Sequence, residues 1–163
     1  MSWVEVVVAL TALASALLSG ALFSFSAFVM RSLGRLDVPE GIRAMQRINE
    51  DAPRSLLMVP LMVSAVGSVV VVIAPVAGWV APGSSLFGDG ILLVLGGLLG
   101  ILAFVVTAAA NVPRNNALAT LDSGDPSAAG EWAAYRGSWT RWNHVRVVLA
   151  LGSAVLLAVA LHG

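Results

Sequence analysis

The chain has 163 residues, of which 58% are hydrophobic and only 11% charged, and its formal net charge is zero. Soluble domains carry roughly 25% charged residues, so a water-facing shell is undersupplied and a soluble fold is excluded; the neutral balance also leaves no overall basic field for nucleic acid. There is no cysteine, which removes disulfides, thiolate metal sites and cysteine nucleophiles.

A spanning helix needs about 20 largely apolar residues. The first such run, residues 6–30, holds no ionisable side chain, and only Glu5 precedes it. With no Lys or Arg ahead of it and a run longer than a signal-peptide core, it reads as a retained helix. Residues 31–54 are charged and polar, and Asp37 with Pro39 marks a short helix over residues 39–51. The second span is residues 56–80, interrupted by Pro60 and Pro75, and residues 81–90 form a tight Gly/Pro/Ser-rich loop. The third span is residues 91–110. Residues 111–144 are long and polar, with a helix start signalled at Asp125-Pro126. The fourth span is residues 145–161, and its helix is expected to begin before Trp139. The expected fold is therefore an all-α membrane protein. It is a four-transmembrane-helix bundle in one integral membrane domain, with an amphipathic helix in the first connection and a longer helical connection before the fourth span.

Charge orients this bundle. All nine basic residues are arginine, and all lie in or beside the first and third connections. By the positive-inside rule that side is cytoplasmic, with both termini outside a cell membrane. The agreement between span count and arginine placement supports the topology independently of hydropathy. Gly96 and Gly100 form a GxxxG, and Gly20 with Ser24 a small-xxx-small pair, either for packing inside the bundle or for homo-oligomer formation.

Four polar clusters stand at the arginine-rich ends of the spans. Ser24 and Ser26 lie among Phe23, Phe25 and Phe28; each serine either bonds its own backbone or lines a pocket walled by the phenylalanines. Gln46 and Asn49 share a helical face with Arg43, either a solvated face on an interfacial helix or a lid whose amides turn inward. Asn111, Asn115 and Asn116 surround Pro113. Capping accounts for Asn111 alone, whereas several buried amides require a network or a ligand. Trp139, Asn143 and Arg146 fall on one stripe, with Trp142 one turn before Arg146. An aromatic belt and snorkelling arginines account for part of this cluster; Asn143, His144 and Arg146 together at the start of the apolar run read as a site.

No metal, haem or other cofactor is expected. His144 and His162 stand at opposite ends of the last span, and one His with amides is a poor ligand set. No spanning segment holds an acid or base for proton relay, which argues against an ion-coupled pump. A small hydrophobic-substrate pocket with a polar mouth fits what remains.

Four pieces, in this order and at one membrane face, resemble the anthrone oxygenase-like membrane family. They are Phe25-Ser26-x-Phe28-Val29-Met30, Ala44-Met45-Gln46-x-Ile48-Asn49, Asn111-Val112-Pro113-x-Asn115-x-x-Leu118 and Trp139-x-x-Trp142-Asn143-x-x-Arg146. The resemblance covers nearly the whole chain. It implies a four-helix membrane protein that oxidises a small hydrophobic aromatic substrate, an anthrone, with molecular oxygen. On that basis His144, Arg146 and Asn143 are the candidate catalytic residues, with His144 or Arg146 deprotonating the substrate or stabilising its enolate. Gln46, Asn49, Asn111, Asn115, Trp139, Trp142 and Ser26 are the candidate substrate-binding residues. The competing class is a non-enzymatic membrane protein that binds a lipid or quinone or serves as a partner in a larger complex.

Overall fold

The computed structural model describes residues 1–82 and 88–162. Among them there is no β-strand, and four helices are long and apolar enough to cross a membrane: α1 (Trp3–Leu33), α3 (Met58–Val76), α4 (Gly90–Ala119) and α5 (Ala128–Ala160). A shorter helix, α2 (Val38–Asp51), lies in the first connection. The spanning helices run up and down in the ring order α1, α3, α4, α5, each packed against its two neighbours. Residues 83–87, within the loop expected at 81–90, lie outside the described residues.

Each boundary has a local cause. Ser2 and Glu5 form a capping box at the start of α1, the Glu5 amide donating to Ser2 Oγ at 3.2 Å and the Ser2 amide to Glu5 Oε2 at 2.8 Å. The second span ends at Val76 and not at 80. Gly78, at φ 70°, closes a Schellman turn in which the Trp79 amide donates to the Ala74 carbonyl. Trp79 then packs its ring against Trp3, with centroids 5.4 Å apart. α5 begins at Ala128, just after the Asp125-Pro126 signal, because the Asp125 carboxylate accepts from the Ser127 amide at 2.7 Å and holds a turn there. The helix then runs far below the apolar stretch at 145–161.

The bundle interior has three layers. At the end bearing the chain termini Val4, Val8, Val71, Ala74, Leu93 and Leu157 form a dry apolar cluster. The middle is built from small residues: Ser15 bridges Ser64 at 2.8 Å and Ser153 at 3.4 Å. A Cβ on Gly100 would overlap the Ser68 hydroxyl, and one on Gly96 would press into Leu157 at 2.7 Å. The GxxxG is therefore spent on contacts within the bundle. Gly20 has open space beside it, and Ser24 bonds back to the Gly20 carbonyl at 3.1 Å.

At the arginine end α2 closes the bundle. Its apolar edge, Ile42 and Met45, is almost completely buried against Leu33, Leu118, Trp132 and Tyr135. The amides of its polar stripe also turn inward: Gln46 Nε2 donates to the carbonyls of Leu118 and Leu121 at 2.9 and 3.0 Å, and Asn49 Nδ2 reaches the Tyr135 hydroxyl at 3.4 Å. Arg43 stays exposed, where it donates to Ser123 Oγ at 3.2 Å. Elsewhere the surface is covered by exposed Leu, Val, Ile and Phe side chains such as Leu13, Leu17, Val66 and Val148. In water that would be a large liability; in a bilayer it is the required exterior.

Candidate functional site

Two spanning helices widen into a π turn: Phe25–Val29 in α1 and Thr107–Asn111 in α4. Both π turns pack against α5. Such turns occur mostly as single insertions in α-helices, frequently at functional sites. In α4 the cause is visible two residues on. Pro113 has no amide for the Ala109 carbonyl, and its ring would clash with it in regular helix; the widened turn lets the Val112 amide reach back to Thr107. In α1 nothing in the residue types requires the π turn. Its effect is that the Leu22 carbonyl, which takes the Phe25 amide, also accepts Asn143 Nδ2 at 2.8 Å.

Asn143 is the centre of the site. It is completely buried. Its Nδ2 donates to Leu22 and to Ser26 Oγ, the latter at 2.7 Å, and its Oδ1 accepts from Arg146 Nη2 at 2.7 Å. Arg146 is 6% exposed. Helical side chains lean toward the N-terminus, so its guanidinium lies over the Trp139 ring at 5.3 Å and does not pair with Trp142 as the spacing implied. Arg146 Nε is buried without a partner. Among the described residues the one ion pair is between the Met1 ammonium and Glu5, so Arg146 is a buried cation with no carboxylate. Burying an unpaired charge in a membrane protein is costly and marks function by default.

A second set of bonds continues from Trp139. Its indole Nε1 donates to Asn115 Oδ1 at 2.9 Å, which also accepts from the Tyr135 hydroxyl at 3.1 Å, while Asn49 Nδ2 reaches that hydroxyl at 3.4 Å. Asn111 Nδ2 donates to the Trp139 carbonyl at 3.3 Å, and its Oδ1 is buried with no partner. Asn111 is thus not a helix cap. The buried residues Trp132, Tyr135, Trp139, Asn143 and Arg146 form one stripe of α5.

The structure therefore brings Ser26, Asn49, Asn111, Asn115, Trp139, Asn143 and Arg146 into one connected group and separates three expected members from it. Gln46 is occupied in fastening α2. Trp142 faces out of the bundle, 39% exposed. His144 is exposed on another face of α5, where it lines a recess of about 460 Å³ with Ser26, Arg31, Arg136 and Thr140. Ser26 is the link, because it lines that recess and is bonded to Asn143. Arg136 stands over Trp132 at 5.6 Å, against Gly34, with its Nε buried and unpartnered. No acidic side chain lines the recess, so it attracts anions and repels a metal cation; His144 has guanidinium neighbours in place of co-ligands. On the other side of α5 a recess of about 490 Å³ reaches Tyr135. Tyr135 carried no signal alone; its spacing from Trp139, Asn143 and Arg146 is the clue that places it.

Fold and site together define a multi-pass helical membrane protein with a polar, cationic interior at one end of its bundle. The family model for anthrone oxygenase matches residues 54–156, and the chain belongs to that family. No curated protein and no solved structure matches it.

Proposed function

We propose that the chain is a membrane oxygenase that converts an anthrone-type aromatic ketone to its quinone with O2, at the recess where Ser26 and His144 meet. The observation that carries this reading is the direction of the hydrogen bonds. Arg146 donates to Asn143, and Asn143 donates to Ser26, so the Ser26 hydroxyl proton is left to donate into the recess. A buried cation thereby polarises a donor aimed at the place where an enolate oxygen develops, which is the arrangement that stabilises oxyanions. Arg31 and Arg136 add positive potential around it. His144 removes a proton from the ring methylene. The resulting carbanion carbon takes up O2 and that proton as a hydroperoxide; loss of the second methylene proton with hydroxide, together one water, leaves the new carbonyl. The substrate carbon is oxidised and one O2 is reduced, so no further reductant enters. Trp139, Asn111 and Asn115 are positioning residues for Arg146, and Gln46 and Asn49 fasten the cover formed by α2.

The same reading places the arginine end on the cytoplasmic side of the cell membrane and residues 1 and 162 outside, since arginine excess marks the inner face. The chain lacks cysteine, so single cysteines at Ser127 and Ser2 report sidedness cleanly. An impermeant maleimide added to intact cells should label the second and not the first.

The activity test is O2 uptake by purified protein with anthrone, followed by anthraquinone absorbance. His144→Ala and Arg146→Met should each lose about 10²-fold or more in kcat, the scale of a lost general base or oxyanion donor. Full turnover in both variants would remove this site. A wild-type protein that turns nothing over but retains a quinone or lipid through purification would favour the non-enzymatic reading.

A further inference from the structure

Trp142 has no place in that chemistry, and its surroundings point elsewhere. It projects from α5 toward the lipid side, one position from the buried Asn143. The Arg114 guanidinium lies over its ring at 5.8 Å. Arg114 is held there by a bond from Nη1 to the Ala110 carbonyl at 2.6 Å, and its Nε is buried without a partner. The exposed Arg141 lines, together with Arg114 and Glu131, the recess of about 490 Å³ that reaches Tyr135, and it borders a second recess of about 370 Å³ with Trp142 and Val145, which no acid lines. Next to this recess α5 continues in exposed Val145 and Val148.

We propose that this bracket binds the phosphodiester headgroup of an anionic phospholipid. The phosphate lies between Arg114 and Arg141, the Trp142 indole sits at the headgroup boundary, and an acyl chain follows the exposed Val145 and Val148 of α5. Topology alone needs only positive charge on one face. It does not need a guanidinium held over an exposed indole, with a second arginine and exposed valines beside it. Fixing Arg114 in advance lowers the entropy lost per hydrogen bond to phosphate oxygens, and tryptophan favours the membrane–water interface. A free anion would use the two arginines but not the valines, so charge and apolar surface together select a lipid.

Native mass spectrometry of the full chain, released from detergent containing equimolar phosphatidylglycerol and phosphatidylcholine, reads this directly. Wild type should retain phosphatidylglycerol about thirtyfold over phosphatidylcholine, on the scale of two juxtamembrane arginines acting on an anionic lipid. Arg141→Gln should lower the preference to about fivefold, and the Arg114→Gln/Arg141→Gln pair should abolish it. Arg35→Gln/Arg47→Gln, which alters two exposed arginines away from the bracket, should keep it. Equal retention of the two lipids by wild type, or an unchanged preference in Arg141→Gln, overturns the proposal. So does displacement of the lipid by millimolar inorganic phosphate, which would make this a free-anion site. If the pair does not fold, Arg141→Gln alone carries the test, because that side chain is exposed.

Discussion

Asn143→Ala separates the network from its surroundings. The side chain gives up two donated bonds, at 2.8 and 2.7 Å, and one accepted from a guanidinium at 2.7 Å. Neutral bonds net about 1 kcal/mol each and a charge-assisted one about 2 kcal/mol. Membrane-embedded pairs average nearer 0.6 kcal/mol, so the expected loss of stability is about 2–4 kcal/mol. Asn111→Ala removes one 3.3 Å bond and an acceptor that already lacks a partner, and should cost about 0–1 kcal/mol. Arg146→Met deletes a buried cation that has no carboxylate but leaves Asn143 Oδ1 without its donor; the two effects offset, and stability should stay within about 1 kcal/mol of wild type, even as turnover falls. In that background Asn143→Ala should cost about 1–2 kcal/mol less, because the charge-assisted bond is already gone. The measurement is a double-mutant cycle by reversible unfolding in mixed micelles, followed by circular dichroism. A coupling below about 0.5 kcal/mol, within the additivity of independent sites, or equal losses in Asn143→Ala and Asn111→Ala, would refute the claim that Asn143 links Arg146 to α1.

The remaining predictions concern packing, the cover and acid. Gly97→Ala would bring a Cβ to 2.8 Å from the Ser68 carbonyl, which is backbone and cannot yield; it should lower stability by about 1–3 kcal/mol. Gly137→Ala meets nothing within 4 Å and should raise stability by about 0.5–1 kcal/mol through helix propensity; thermal unfolding of the two variants reads the contrast. Gln46→Leu removes both bonds to the Leu118 and Leu121 carbonyls, and should speed amide exchange across residues 38–51 while leaving α3 and α4 protected. Hydrogen bonds from the Ser127 amide and hydroxyl hold the Asp125 carboxyl below its ordinary 3.8. The bound form is the carboxylate, so the stability it gives the start of α5 is fully present above 3.8 and is lost as pH falls through the depressed folded value. The protection factor of the Ser127 amide, corrected for the intrinsic pH dependence of exchange, should fall in that acid window in wild type and stay constant there in Asp125→Asn.

The four spans were legible because a bilayer imposes long apolar runs on any sequence that crosses it. Their ends were less so, since an apolar run reports where lipid is and a helix ends where its backbone bonds end. α5 continues from the lipid zone down to Ala128 because Trp132, Tyr135 and Trp139 bury a stripe against α2 and the base of α1. The polar residues that build the buried group were visible as types near the right ends of the helices. Their angular placement was not. Trp142 and His144 flank Asn143 in sequence, yet on a helix adjacent positions face about 100° apart, and one of the three is buried while the other two face outward on different sides. The π turn at Phe25–Val29 has no residue code, and it shapes the contact between Leu22, Ser26 and Asn143.

The placement of the polar interior bears on whether it is a site or a structural device. Bundles in lipid associate through close packing of small residues and a few hydroxyl bonds, and the middle layer of Ser15, Ser64, Ser153, Gly96 and Gly100 supplies both. The end bearing the termini packs with apolar side chains alone. The arginine end needs neither a buried guanidinium nor an amide with an unpartnered oxygen to hold together, because Ile42, Met45, Leu118 and Trp132 already close it. Arg146 and Asn111 therefore lower stability where packing alone would serve, and they do so beside the two π turns and behind the serine that opens on the His144 recess. A buried cation at one end, linked through Asn143 to the serine that lines the recess, is what preorganisation for an anionic intermediate requires.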